Sequence, residues 1–153
     1  MGLHINQLPQ AVKDKLGIKD KAYKQFWATI GDKEPIYFRS SWEYYYAIFL
    51  EKLKREKKIK EWLHEPKNFW FQGIKRGVTG YLPDFCVIHL DNREEWCEVK
   101  GYFDSKSQTK MKRMAKYYPE INIRLVDKTW FKDNLKSIKA LEPMIVTKKV
   151  DKN

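Results

Sequence analysis

Asp84 follows Pro83, and fourteen residues further on Glu98 and Lys100 flank a single valine, Val99. The stretch around them, GYLPDFCVIHLDNREEWCEVKGY at residues 80–102, reads as two strands that turn at Asp91–Asn92. Side chains two apart on a strand share a face, so Glu98 and Lys100 point the same way and Val99 points into the opposite layer. Antiparallel pairing would bring Asp84 beside Glu98. Two close carboxylates repel each other and raise one pKa unless a cation neutralises them. An all-oxygen set favours Mg²⁺ or Mn²⁺, and the Val99 carbonyl can add an oxygen. Such an ion polarises a phosphoryl oxygen and lowers the pKa of a bound water. Lys100 would orient that water or stabilise charge developing on the phosphate. The chemistry is then attack of water on a phosphodiester. Gly101 lets the backbone pass the site closely. The plain alternative is a surface hairpin with a same-face ion pair worth about 0–1 kcal/mol. Against it stand the hydrophobic residues around all three positions and the Pro-Asp pair that begins the partner strand.

The charge pattern agrees with such a site. The 153-residue chain carries a net charge of +11, which suits a polyanionic partner. Residues 39–77 hold ten Lys or Arg against five acids, and residues 104–118 hold five against one. Between them residues 78–103 hold two against five. An acidic patch between basic ones fits divalent cations held beside a phosphate backbone. The length suits one domain with a real core, and 15% aromatic residues argue against disorder. No run approaches a membrane span and no signal-peptide pattern opens the chain, so a soluble, intracellular protein is expected. Cys86 and Cys97, the only cysteines, are expected as reduced, buried thiols.

The elements that must position these residues follow from the rest of the pattern. LPQAVKDKLG, residues 8–17, reads as a short helix. RSSWEYYYAIFLEKLKREKKIKEW, residues 39–62, reads as the main helix, with Trp42, Tyr45, Tyr46, Phe49 and Leu53 as one apolar stripe. NFWF at 68–71 reads as a strand and QGIKRGVTG at 72–80 as a loop. After the hairpin, residues 104–119 read as a helix capped by Asp104 or Ser105, with Met111, Met114, Ala115 and Tyr118 inward. INIRLVD at 121–127 is a strand, and TWFKDNLKSIKAL at 129–141 a last helix before a basic tail. The predicted class is mixed α/β, ordered helix-strand-strand-strand-helix-strand. Its four-stranded sheet is expected to be flanked by helices, with the fourth strand joining in parallel after a helical crossover. One domain is expected, with a core at about 39–127, a helical extension at 1–38, and a helix and tail at 128–153.

The residues PDF…EVKG in this order resemble the PD-(D/E)xK, or restriction-endonuclease-like, nuclease superfamily. YLPDF followed by CEVKGY looks most like the small phage nucleases and endonuclease I-type junction resolvases, over about residues 39–127. The resemblance implies a Mg²⁺- or Mn²⁺-dependent DNA endonuclease whose catalytic residues are Glu43, Asp84, Glu98 and Lys100, with Asp84, Glu98 and Val99 on the metal. Glu43 matches the acidic residue that members often carry on the first core helix. It is equally the last residue of a capping box, Ser40-x-x-Glu43. Gln108 matches a polar residue that members place near the site on the second helix, and a buried hydrogen-bonded amide is the other reading. Arg39, Lys75, Arg76, Lys106, Lys110 and Arg113 are candidates for phosphate contacts; a solvated face is the default for each. Small size and the lack of a sequence-reading module favour DNA structure, such as branches, flaps or junctions, over base sequence. A homodimer would allow two cuts. The location would be cytoplasmic, in a host cell if the chain is phage-encoded. The alternatives are a basic nucleic-acid-binding module with a vestigial site, or a nuclease acting on RNA. Zinc is not expected at Cys86, His89 and Cys97, because residues three apart on a strand face opposite sides.

Overall fold

The computed structural model describes residues 25–151; the helix expected at 8–17 lies outside them. The described residues open with a hairpin of β1 (Phe26–Ile30) and β2 (Ile36–Phe38). Helix α1 (Ser41–Arg55) follows, its first turn closed by the Ser40 hydroxyl accepting from the Glu43 N–H. Strand β3 (Glu61–His64) comes next, then a two-stranded ribbon of β4 (Phe69–Trp70) and β5 (Gly80–Tyr81). The predicted hairpin is β6 (Phe85–Ile88) and β7 (Glu94–Val99). Helix α2 (Ser105–Tyr117) crosses over to β8 (Ile123–Val126). Helix α3 (Lys128–Ile145) and strand β9 (Val146–Asp151) are the last elements among the described residues.

The main sheet has the order β3-β6-β7-β8. Its first three strands pair antiparallel and β8 joins β7 in parallel, as a helical crossover requires. The protein is a mixed α/β fold, and α1, β3, β6, β7, α2 and β8 stand in the expected core order. Both faces of the sheet are covered. Phe85, Val87, Cys97 and Val99 pack with Tyr46, Ala47 and Leu50 of α1. Cys86 and Trp96, on the opposite face, pack with Phe69, Phe71 and Tyr81 and with Met114 of α2. The two cysteines are free and buried, one in each layer.

Four local expectations differ from the structure. The main helix stops at Arg55, and the chain turns through Lys57 at φ 59. Residues 61–64 then form the first core strand, because Trp62 is fully buried and gives its indole N–H to Glu51 at 3.2 Å. NFWF belongs to the separate ribbon. The single apolar stripe on α1 is too narrow: Tyr44, Ile48 and Glu51 are buried as well. Phe26 and Phe38 close on Tyr44, while Trp130 of α3 covers Tyr46 and Phe49, so the helix is covered on several sides. Ala115 of α2 is exposed; its inner row runs Ser107, Met111, Met114 and Tyr118.

The two predicted extensions also change character. Within the described residues the first is a hairpin, not a helix, and the basic tail is a strand. β9 pairs antiparallel with β1, giving a three-stranded sheet of order β2-β1-β9. Among the described residues no helix is long and apolar enough to cross a membrane.

Candidate active site

The site gathers at one end of the main sheet, where β3 ends, β6 begins and β7 ends. Asp84 immediately precedes β6, and continuing the Phe85–Cys97 register sets it opposite Glu98. Its Oδ2 accepts the Val99 main-chain N–H at 2.7 Å. Glu98 is buried and accepts the Tyr81 hydroxyl at 2.6 Å. Lys100 follows the last residue of β7, and its N–H donates to the Val126 carbonyl at 3.0 Å, which ties it to the sheet. Gly101 does permit a close approach, but to Trp42: a Cβ there would lie 2.6 Å from the indole.

Glu43 comes to the same end from the first turn of α1. It is buried, and its Oε2 lies 3.8 Å from His64 Nε2 with no hydrogen-bond partner among the described residues. The Ser40 half of the capping box is made. Glu65 follows β3 with φ at 46; its N–H donates to the Asp84 carbonyl at 2.9 Å, and its Oε1 lies 4.0 Å from His64 Nε2.

Burial, then the charges of Glu98 and Glu43, push the Asp84 carboxyl well above the ordinary aspartate range; the Val99 N–H opposes them. Burial also raises Glu98, with Glu43 adding to the rise. The Tyr81 hydrogen bond and the charges of Lys100 and Lys110 pull Glu98 back. Burial and Glu98 raise the Tyr81 phenol above its ordinary range. The arrangement can hold a hard cation, because the carboxylates oppose one another and the nearby cations compensate them only in part.

The basic residues are distributed unevenly. Arg39 is exposed and lines a groove of about 530 Å³ that His64 and Glu65 also line. A second groove, about 690 Å³, runs between α2 and residues 77–80, lined by Lys106, Lys110, Arg113 and the exposed Trp70. Arg113 is not on a freely solvated face: its guanidinium donates to the Val78 carbonyl. Lys75 and Arg76 are exposed on the loop outside both grooves. Gln108 is exposed and not on the inner face; its amide donates to the Phe103 carbonyl at 3.4 Å, and Ser107 takes the buried position. Val99 presents its N–H to Asp84 while its side chain joins the core.

Sequence reasoning missed His64, Glu65 and Tyr81. Pro66 was the available signal for the first two, since the residue before a proline avoids the helical region and a helix seldom runs into one. Tyr81 alternates with the buried Pro83 at the start of the hairpin, but nothing in its type marks a carboxylate partner.

Fold and site together define a mixed α/β protein with a carboxylate cluster at one end of its sheet. The chain belongs to the family described as "Protein of unknown function (DUF1064)", whose model matches residues 26–137. That span contains Glu43, His64, Glu65, Asp84, Glu98 and Lys100. No curated protein matches the chain.

Proposed function

We propose that this protein is a Mg²⁺- or Mn²⁺-dependent DNA endonuclease of the PD-(D/E)xK type. The observation that carries the reading is the convergence of Asp84, Glu98 and Glu43 with Lys100 at one sheet end, with the Asp84 and Glu98 carboxyls held above their ordinary range. The core order of helices and strands supports it. The donor set fits a hard dication: Asp84 and Glu98 supply oxygens, with the Val99 carbonyl as a further candidate. When bound, such an ion supplies Lewis acidity toward a phosphoryl oxygen and a more acidic water.

The chain's own residues divide the remaining work. Lys100 stabilises negative charge that develops on the phosphate, or orients the attacking water. Tyr81 and the Val99 N–H hold the two carboxylates in place. Lys106 and Lys110 offer phosphate contacts along the α2 groove, and Arg39 along the groove that His64 and Glu65 line. Trp70 stands exposed at that groove, where an unpaired base can stack on its ring, which supports DNA structure over sequence as the feature read. DNA is the proposed partner, and a homodimer the proposed state if both strands of a junction are cut.

A second reading, binding without cutting, is favoured by one observation: Tyr81 already occupies Glu98 Oε2, and the Val99 N–H occupies Asp84 Oδ2. Incubation with Mg²⁺ on duplex, flap, four-way junction, single-stranded DNA and RNA separates the readings. The nuclease reading expects metal-dependent cleavage of branched DNA that Glu98→Ala abolishes and Glu43→Gln lowers by orders of magnitude at unchanged melting temperature. Retention of every substrate uncut would leave the binding module, and cleavage of RNA alone would reassign the substrate.

A further inference from the structure

The proposed chemistry makes no use of His64, yet the structure fixes this ring closely. It sits between Phe38 and Phe85, with ring centroids 5.4 and 5.3 Å away. So held, its Nε2 faces two carboxylates, Glu43 Oε2 at 3.8 Å and Glu65 Oε1 at 4.0 Å. Both separations exceed the roughly 2.7–3.2 Å of a hydrogen bond. His64 Nε2 and Glu43 Oε2 are buried atoms without a hydrogen-bond partner among the described residues, and Glu43 is only 9% exposed. Buried polar atoms in native proteins almost always have partners, so two orphans facing each other point to a missing third body.

The spacing suits an ion. Two donor atoms each roughly 2.1 Å from one metal stand about 3.0–4.2 Å apart, from a right angle at the metal to a straight line. One ligand atom from each of Glu43, His64 and Glu65 can be chosen so that all lie within 4.8 Å of one another. The contrast is His89. Its Nε2 is also an orphan, 3.6 Å from Glu95 Oε1, but Arg124 Nη1 stands 3.7 Å from the same oxygen. A guanidinium already provides the positive charge there.

We propose that Glu43, His64 and Glu65 form a second cation position, for a first-row transition dication such as Mn²⁺ or Zn²⁺ in preference to Mg²⁺. An imidazole nitrogen is a good ligand for transition ions, whereas Mg²⁺ prefers oxygen. The position adjoins the hard-oxygen pair, since the Glu65 N–H binds the Asp84 carbonyl. This inference deepens the proposed nuclease site and rests on it only for its biological use, because the binding can be measured without cleavage.

The test is calorimetric titration of chelator-stripped protein carrying Asp84→Asn and Glu98→Gln, with MnCl₂, ZnCl₂ and MgCl₂ in turn. One transition ion per chain should still bind, more tightly than Mg²⁺. Adding His64→Gln should weaken that binding at least tenfold and remove the nitrogen coupling from the EPR spectrum of bound Mn²⁺. Glu65→Gln should weaken it too, and serves alone if His64→Gln disturbs the circular dichroism spectrum. His89→Gln should change nothing. Loss of all transition-ion binding in the starting variant, or an affinity indifferent to both His64→Gln and Glu65→Gln, overturns the proposal. Binding through His64 in a protein that cuts no substrate would remove the nuclease reading and keep this one. Cleavage by a protein whose Mn²⁺ affinity ignores His64 and Glu65 would do the reverse.

Discussion

At Glu98 opposing influences meet: burial and Glu43 favour the protonated acid, Tyr81 and Lys100 the carboxylate, and the acid gains on balance. Asp84 is raised as well, first by burial and then by the charge of Glu98. Both groups therefore hold protons more tightly in the folded chain than in the unfolded one. Stability is fully present below the ordinary carboxylate range and falls as pH rises through it toward the folded values. Asp84→Asn removes the Asp84 part of this loss while leaving an oxygen for the Val99 N–H. In thermal melts with EDTA the variant should outlast the parent at neutral pH, and the gap should close toward about pH 4. A parent that is the more stable at pH 7 would contradict the assignment. Lys100 permits a separate test of mechanism. Lys100→Ala should slow single-turnover cleavage by orders of magnitude, yet leave Mg²⁺ affinity unchanged or higher, because a neighbouring positive charge is removed. Near-parental cleavage would reduce Lys100 to an ion-pair partner. Asp84, Glu98 and Lys100 stood out in the sequence because strand alternation and a short motif marked them; Glu43, on a helix, stood out only by its match to the acidic residue of the resembled family. His64 and Glu65 did not, because the helical pattern ran on through Lys57–Lys60 and hid the strand that ends at His64, just before Glu65.

Among the elements, the contact between α1 and the end of β7 decides where Glu43 stands. Trp42 stacks on Phe131 with centroids 4.6 Å apart, packs against the main core, and lies close to the bare backbone of Gly101. An added methyl at Gly101 would meet the indole at 2.6 Å and displace it together with the first turn of the helix. Gly101→Ala should therefore cost about 1–3 kcal/mol, the usual range for overpacking. It should also lower cleavage, although it touches no substrate. Trp42→Phe in the same chain should recover much of both losses, and denaturant melts of the four-membered cycle measure the coupling. Additive losses would show that the two residues do not meet. The hairpin, the crossover helix and the parallel strand were readable from alternation and from capping residues. The end of α1 was not, because Lys, Arg and Glu are as content in a solvated helix as in a turn. Only the burial of Trp62 shows that the chain had to leave the helix.

For the molecule as a whole, the sheet β2-β1-β9 is the part that local patterns could least reveal. Its strands pair across the length of the chain, Phe26 with Asp151 and Ala28 with Lys149. β9 alone, VTKKVD, reads as a solvated tail. Deleting residues 146–153 should lower the melting temperature by several degrees, because β1 loses a neighbour while Phe26 and Ile30 are buried in the core. Ion affinity at Asp84 and Glu98 should survive the deletion at temperatures where the truncated chain stays folded, since both sit on the other sheet. Equal melting temperatures would mean that β9 adds nothing to the fold. The same pairing bears on the order of assembly during synthesis. α1, the main sheet and the carboxylate cluster all precede β9, so a nascent chain can complete its chemistry-bearing half first. Until β9 arrives, the edge of β1 away from β2 offers the ribosome's surroundings an open template of unpaired amides, a window for capture by chaperones or by a second nascent copy.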